Sequence, residues 1–375
     1  MNILIVTPDY PDPHRVKYQF VKELVNAFSQ CGHRCYVISP YSLTRNRRLV
    51  PYLSEEEGVM VCRPKFASFS TLRIGGISLS YVFRMRALYR ALRRMDFRPD
   101  VVYTHFWNAA EWAYAYARDN GLPLFVASGE AEIVKQFDMK LLTKDFSNYV
   151  SGVVCVSRKN LEESVSLELT TPDKCEVFPN AVDRTLFRKM DKSQCRKELG
   201  FPQDAYIVAS VGAFCERKGT RLLSQAISSI KDMTVHSLFV GSGSDHPLCD
   251  NILFKGTLPH DELPKYLNAS DVFVLPTLHE GCCNAVVEAL SCGLPVISSN
   301  RPFNWDVLND KNSIMIDPTD VKEIAAAIVS LSDEKRRSVY AENALASASE
   351  RTIDKRAEGI LRFIQSRMGK HSQPL

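Results

Sequence analysis

Leu275-Pro-Thr-Leu-His-Glu280-Gly-Cys-Cys-Asn284-Ala-Val-Val-Glu288-Ala-Leu-Ser-Cys-Gly293-Leu-Pro-Val-Ile297 decides the fold. It reads as the end of a buried strand, a loop, a helix, and a Gly-Leu-Pro turn into the next strand, which is the plan of a βαβ unit. Glu280 lies in the loop and Glu288 two turns further along. Both can therefore face the carboxyl ends of the strands, where open parallel sheets bind ligands. Gly281 permits close backbone approach. The amides of Gly281, Cys282, Cys283 and Asn284 sit at a helix N-terminus, which suits negative charge or sugar hydroxyls. Two carboxylates at this spacing can hydrogen-bond two different polyol groups, a sugar ring and a ribose. A plainer alternative stays open: Glu280 caps the helix, and Glu288 is a solvated helical residue.

The same alternation extends in both directions. Ala205–Val211, Ser237–Val240, Ile252–Lys255, Val272–Pro276 and Pro295–Ser298 read as strands, each followed by a loop or helix, with a helix from about Thr220. Upstream, Asn2–Thr7, Arg34–Ser39, Val101–Thr104, Leu124–Ala127 and Gly152–Val156 are strand-like, with helices over Lys17–Gln30 and Ala109–Asp119. The pattern lapses near Pro179–Gln203. An α/β chain of two Rossmann-like, doubly wound domains facing across a cleft is expected, over residues 1–182 and 183–350. A C-terminal helix over about 351–370 is expected to pack back on the first domain.

Length and composition agree with two globular domains: 375 residues, 45% hydrophobic and 24% charged. No apolar run is long enough for a transmembrane helix, and the opening MNILIVTPDYPDP reads as a buried strand rather than a signal peptide. The eleven cysteines are scattered and odd in number, which suits reduced thiols in the cytoplasm and no structural zinc. Residues 1–100 hold sixteen Lys/Arg against eight Asp/Glu, a surplus of +8. With +4 for the whole chain, the remainder sums to −4. A first domain this basic suggests an anionic partner, such as lipid headgroups or a phosphate-bearing acceptor.

The phrase around Glu280 and Glu288, with Cys292-Gly-Leu-Pro-Val-Ile after it, resembles the glutamate–seven residues–glutamate motif of the retaining GT-B glycosyltransferases of family 4. Other phrases match in order. Val211-Gly-Ala-Phe-Cys-Glu-Arg217-Lys218-Gly219 resembles the family's diphosphate loop, where a forked and a compact cation suit a pyrophosphate. Phe239-Val-Gly241-Ser-Gly243 resembles the next glycine pair, Phe254-Lys-Gly256-Thr-Leu258-Pro the nucleobase loop, and Val177-Phe-Pro-Asn180-Ala-Val-Asp183 the interdomain phrase. Asp100-Val-Val-Tyr-Thr-His105 resembles the strand whose last histidine reaches the donor sugar. The chain departs from the pattern at Ala213, where many members carry arginine, and at Ala181, where glycine is usual. It also lacks paired glycines in Pro8–Lys17, offering His14, Arg15 and Lys17 instead, and carries Ser128-Gly129-Glu130 where His-Gly is common. These last two departures place His14, Arg15, Lys17 and Glu130 on the acceptor side.

The resemblance implies a hexosyl transfer from a UDP- or GDP-sugar to a hydroxyl of a glycan or lipid-linked acceptor in surface polysaccharide or glycolipid synthesis. It implies retention at the anomeric carbon, no metal and no cofactor. Glu280 positions the donor sugar, Glu288 binds the ribose, and His105 joins Glu280 as a catalytic residue. Rivals are a sugar-nucleotide epimerase, a phosphorylase, and a non-catalytic nucleotide-sugar-binding scaffold of the same fold. Nucleic-acid binding fits poorly, because no reader motif appears. Tyr81–Met95 carries five arginines and no acid, with Tyr81, Met85, Leu88 and Leu92 on one helical stripe. It reads either as a peripheral contact with anionic membrane at the inner face or as a packed helix with a solvated basic face.

Overall fold

Asn2–Val6 is an apolar run of the kind that a parallel sheet buries on both faces, and Ile3 to Val6 are fully enclosed. It is β1 of a first unit comprising Met1–Phe178 and Ala357–Leu375; Pro179–Arg356 form the second. The computed structural model describes all residues except 13–17, 45–49, 70–71, 75–76, 137–143 and 372–375.

The first unit's main sheet contains β1, β2 (Arg34–Ile38), β3 (Leu53–Glu56), β4 (Val59–Cys62), β5 (Val101–His105), β6 (Leu124–Ser128), β7 (Val150–Cys155) and β8 (Cys175–Val177). Their order is β8-β7-β6-β5-β1-β2-β4-β3, and only β3 runs antiparallel to its neighbour. The order reverses between β1 and β5, so the switch point lies beyond Val6 and His105. The β3–β4 hairpin has no counterpart in the sequence reading, because Ser54-Glu55-Glu56 is too polar to look like a strand. Glu57 and Gly58 both take positive φ in its two-residue turn, as a tight hairpin requires. Arg63 pins the hairpin, donating to Glu56 at 2.6 Å and to the Pro11 carbonyl at 2.7 Å.

Against this sheet the helix Leu79–Arg94 lays the stripe of Tyr81, Met85, Leu88 and Leu92 onto the core. The stripe is therefore used inside the unit. What the helix shows to solvent is Phe83, Arg86, Arg90, Arg93 and Arg94. The C-terminal helix Ile353–His371 brings Phe363 against Phe125 and Phe178, with ring centroids 6.0 Å apart in both pairs. A Cβ at Gly152 would meet Phe125 at 2.8 Å and Phe363 at 2.9 Å, so glycine is what lets this helix seat.

The second unit is a six-stranded, wholly parallel sheet of β9 (Tyr206–Val211), β10 (Val235–Val240), β11 (Ile252–Gly256), β12 (Val272–Leu275), β13 (Val296–Ser299) and β14 (Ser313–Ile316). Their order is β11-β10-β9-β12-β13-β14. The switch point falls between β9 and β12. The loops that leave these two strands carry Arg217-Lys218 and Glu280.

Candidate active site

Two glycines bring the second unit's loops together. Gly219 takes φ +68° at the start of the helix Thr220–Ser229, and a Cβ there would lie 2.2 Å from the Pro276 carbonyl. Gly241, after β10, would put a Cβ 1.9 Å from the Gly212 carbonyl. No side chain fits either place, so the loops after β9, β10 and β12 pack backbone to backbone. Leu278 N donates to the Arg217 carbonyl at 2.7 Å, and Thr277 Oγ1 donates to the same oxygen at 3.1 Å.

On this frame Glu280 accepts three hydrogen bonds at Oε1: from Lys218 Nζ at 2.8 Å, from Thr277 Oγ1 at 3.0 Å, and from Arg217 Nη1. Arg217 Nη1 also reaches the His279 carbonyl at 2.7 Å. Burial alone would raise the Glu280 carboxyl, but the Lys218 and Arg217 charges and the bonds from Lys218 and Thr277 outweigh it, holding the group below its usual range. Burial likewise disfavours the Lys218 ammonium, yet Cys283 and Glu280 more than offset this and raise its pKa. Cys283 Sγ lies 3.7 Å from Lys218 Nζ. Its own thiol is pushed up by burial, so near neutral pH the anionic partner of Lys218 is Glu280. Two cations against one carboxylate leave a local charge of +1.

The helix Asn284–Ser291 begins beside this cluster. Its N-cap is Cys283, which makes no side-chain capping bond, so Glu280 does not cap it. Asn180 Nδ2 fixes the entry instead, donating to the Cys282 carbonyl at 2.9 Å and to Asn284 Oδ1 at 2.6 Å. Gly281 and Cys282 lead into that turn, whose first amides lack intrahelical partners by geometry. One helical turn later, Glu288 is not a solvated residue: it is only 7% exposed, and Oε1 lies 3.1 Å from His260 Nε2. His260 follows Leu258 in the turn after β11. Leu258 itself is half-buried, two residues beyond the end of β11 at the sheet's edge.

In the first unit, His105 ends β5 and is 2% exposed, among the rings of Tyr103, Phe20 and Phe106. Glu130 is turned inward. Oε1 accepts the Trp107 amide at 2.9 Å, at the start of the helix Trp107–Asp119, while Oε2 accepts the Gly129 amide at 2.9 Å and Ser128 Oγ at 3.3 Å. Burial, partly offset by these amides, lifts its carboxyl to about 7. In this placement Glu130 braces the turn that follows His105. His14, Arg15 and Lys17 lie outside the described residues.

The structure thus joins Arg217, Lys218, Gly219, Glu280 and Cys283 in one cluster, and it sets Glu130 on the Trp107 amide two residues beyond His105. Asn180, Thr277 and His260 were not singled out from the sequence. Asn180 lies inside a recognised phrase and His260 two residues beyond Leu258, so position alone offered a signal for both. Among the described residues no three His, Cys, Asp or Glu side chains gather as metal ligands, and no helix is long and apolar enough to cross a membrane.

Comparison with known proteins gives two family matches: Glycosyltransferase Family 4 over residues 19–186 and Glycosyl transferases group 1 over residues 191–346. A Bacillus subtilis glycosyltransferase named for teichuronic acid biosynthesis is 26% identical, covering 89% of this chain and 90% of its own length. The UDP-Gal:α-D-GlcNAc-diphosphoundecaprenol α-1,3-galactosyltransferase of Escherichia coli is 27% identical over 68% of this chain and 72% of its own. Among solved structures, sucrose-phosphate synthase from Thermosynechococcus elongatus shares the fold with a TM-score of 0.80, at 18% identity, over 98% of this chain and 99% of that one.

Proposed function

Because the chain belongs to the group 1 glycosyltransferases of the GT-B fold, we propose that it transfers a hexosyl group, with retention, from a UDP- or GDP-sugar to a hydroxyl of a glycan or lipid-linked acceptor. The observation that carries this reading is the Arg217–Glu280–Lys218 cluster, whose surplus positive charge stands at the carboxyl ends of the strands flanking the switch point. An anionic diphosphate suits that place, and Gly219 and Gly241 keep the backbone close enough to meet it.

In the proposed reaction Arg217 and Lys218 neutralise the departing diphosphate, and the helix-entry amides from Gly281 to Asn284 add partial positive charge. The acceptor oxygen bonds to the anomeric carbon on the face that the diphosphate leaves. The carbon–oxygen bond to the diphosphate breaks, and the acceptor proton passes to the departing phosphate oxygen. Glu280 positions the donor sugar, Glu288 accepts from the ribose, and Leu258 borders the base. For His105 the resemblance supplies the role, contact with the transferred sugar. The chain's own cations suffice for charge neutralisation, so a metal-independent reaction is the expectation.

Relatives support the pathway and place of work. The E. coli relative is named for a diphosphoundecaprenol-linked acceptor and the B. subtilis one for teichuronic acid biosynthesis. A surface glycan or glycolipid built at the inner face of the membrane is the corresponding proposal here. Phe83, Arg86, Arg90 and Arg93, outward at i, i+3, i+7 and i+10, would meet anionic headgroups. The test is thermal stability and turnover of the full chain with a panel of nucleoside diphosphates and their sugars, with and without EDTA. Stabilisation by one nucleotide series, lost in Lys218→Ala, and product of retained configuration are expected. A folded protein that responds to none of them refutes the reading.

A further inference from the structure

We propose that His260 is a positioning residue that holds Glu288 for ribose hydroxyls, so that the donor site selects a ribonucleoside over its deoxy counterpart. The inference rests on the nucleotide-sugar reading above.

Glu288 is unusual in its surroundings. On the helix Asn284–Ser291, the residues Ala285 to Leu290 are buried, and every one except Glu288 is apolar. A carboxyl group enclosed to this degree needs hydrogen-bond partners for its oxygens. One oxygen is met by His260 Nε2 at 3.1 Å. The other has no protein hydrogen-bond partner among the described residues, although it is not sealed from solvent. A nearly buried carboxylate with one oxygen held and one open is suited to accept from a ligand hydroxyl. It cannot donate, so its natural complement is a donor such as a vicinal diol.

His260 is itself fixed. Its ring lies 5.0 Å from that of Phe187, which is almost fully buried. The Phe187 carbonyl accepts Ser291 Oγ at 2.8 Å, from the same helix that carries Glu288. The contacts close a loop: Ser291 holds Phe187, Phe187 carries the His260 ring, and His260 sets the plane of the Glu288 carboxylate. Cys283 and Cys292 lie close enough to feel the Glu288 charge, and burial keeps both thiols neutral, so neither competes with His260 for its orientation. A carboxylate free to rotate would present its lone pairs to a diol only part of the time, and the hydrogen bond from His260 removes that freedom.

The test is calorimetric titration of the full chain with UDP, GDP and their 2′,3′-dideoxy counterparts, in wild type, His260→Gln, His260→Phe and Glu288→Gln. His260→Phe keeps a ring on Phe187 but removes the donor; His260→Gln restores a donor without the ring. In the wild type, the bound series should favour the ribonucleotide by about tenfold or more, as expected for hydrogen bonds to a charged group. Glu288→Gln and His260→Phe should bring that ratio to within about twofold, with little change in the dideoxy Kd, and His260→Gln should recover most of it. A ratio that survives His260→Phe, or ribo and dideoxy ligands weakened alike, overturns the inference while leaving the nucleotide-sugar reading intact. If the folded wild type binds neither UDP nor GDP, that reading falls and takes the inference with it.

Discussion

Replacing Glu280 with glutamine should move stability and nucleotide affinity in opposite directions. Glu280 and Lys218 are each 12% exposed and lie 2.8 Å apart, whereas Arg217 is 39% exposed. At an effective dielectric constant of about 20, such a contact is worth about 6 kcal/mol in gross attraction. Desolvation cancels much of that, but removing one partner leaves Lys218 enclosed without its counter-charge, a net cost of about 3 kcal/mol. Arg217 can turn to water and adds little. For a unit of this size that corresponds to a fall in Tm of roughly 6–12 °C. The cluster's charge meanwhile rises from +1 to +2, and the carboxylate no longer competes for the two cations. A nucleoside diphosphate should therefore bind Glu280→Gln about tenfold tighter than wild type, restoring part of the lost stability. Turnover should still fall by about 10²–10³, because on the proposed reading the donor sugar loses its charged acceptor. The pH dependence has a definite sign. Glu280 is held below its ordinary pKa, so its contribution is complete above the unfolded value near 4.5 and disappears as pH falls through the folded one. The Tm gap between the proteins should be full at pH 7 and close in acid. Differential scanning calorimetry across pH, with and without nucleoside diphosphate, reads all of this. Weaker nucleotide binding by the variant, or an unchanged Tm at pH 7, would refute the charge argument.

Glu130 should give the opposite pH signature: its folded pKa of about 7 lies above the unfolded value, so stability is lost as pH rises from about 4.5 to 7. Glu130→Gln should flatten that slope by about 3 kcal/mol across the window, and equal slopes in denaturant titrations of both proteins would contradict this. Gly219→Ala forces a Cβ against the Pro276 carbonyl at positive φ, so it should cost more than about 2 kcal/mol and weaken nucleotide binding; an unperturbed melt would show that the loops do not pack as described. Asp271 is a buried hub that meets Arg196 at 2.7 Å and Lys192 at 2.9 Å and accepts the Ile207 amide at 2.8 Å. Asp271→Ala should destabilise by about 3–5 kcal/mol, measured by urea unfolding, and a loss below about 1 kcal/mol would show the network to be dispensable.

The strands at the centre of each sheet were legible because they are buried on both faces, and continuous runs such as Ile3–Val6 and Val272–Leu275 allow no other reading. The strands that escaped are marginal by composition. Leu53–Glu56 is held by its turn and by Arg63, neither of which shows in hydrophobic periodicity. Ser313–Ile316 is four residues at a sheet edge. The basic helix shows why patterning can mislead about function. The stripe of Tyr81, Met85, Leu88 and Leu92 is equally compatible with a lipid surface or a protein core, and only its packing against the first unit's core separates the two.

The site divides along the same line between local and non-local information. Strand–loop adjacency follows from chain order, so Arg217-Lys218 after one strand and Glu280 after another could be assigned to one sheet end from sequence. That they flank the switch point depends on the strand order β10-β9-β12-β13, which no local pattern encodes. Partner identity is less accessible still. Glu280 and Glu288 read alike, yet one is set between two cations and the other is enclosed with a single histidine. These surroundings imply different work. Ion pairing ties Glu280 to the two cations of the proposed diphosphate site, so its energetics should change whenever an anion arrives or leaves. Among the described residues Glu288 meets a histidine and two neutral thiols, which suits the uncharged hydroxyl partner proposed for it. On the proposed reading, two carboxylates eight positions apart are separated into a charge-coupled and a hydroxyl-binding role by side chains at 217, 218 and 260, and substitutions at those three positions should test the division more sharply than changes to the glutamates themselves.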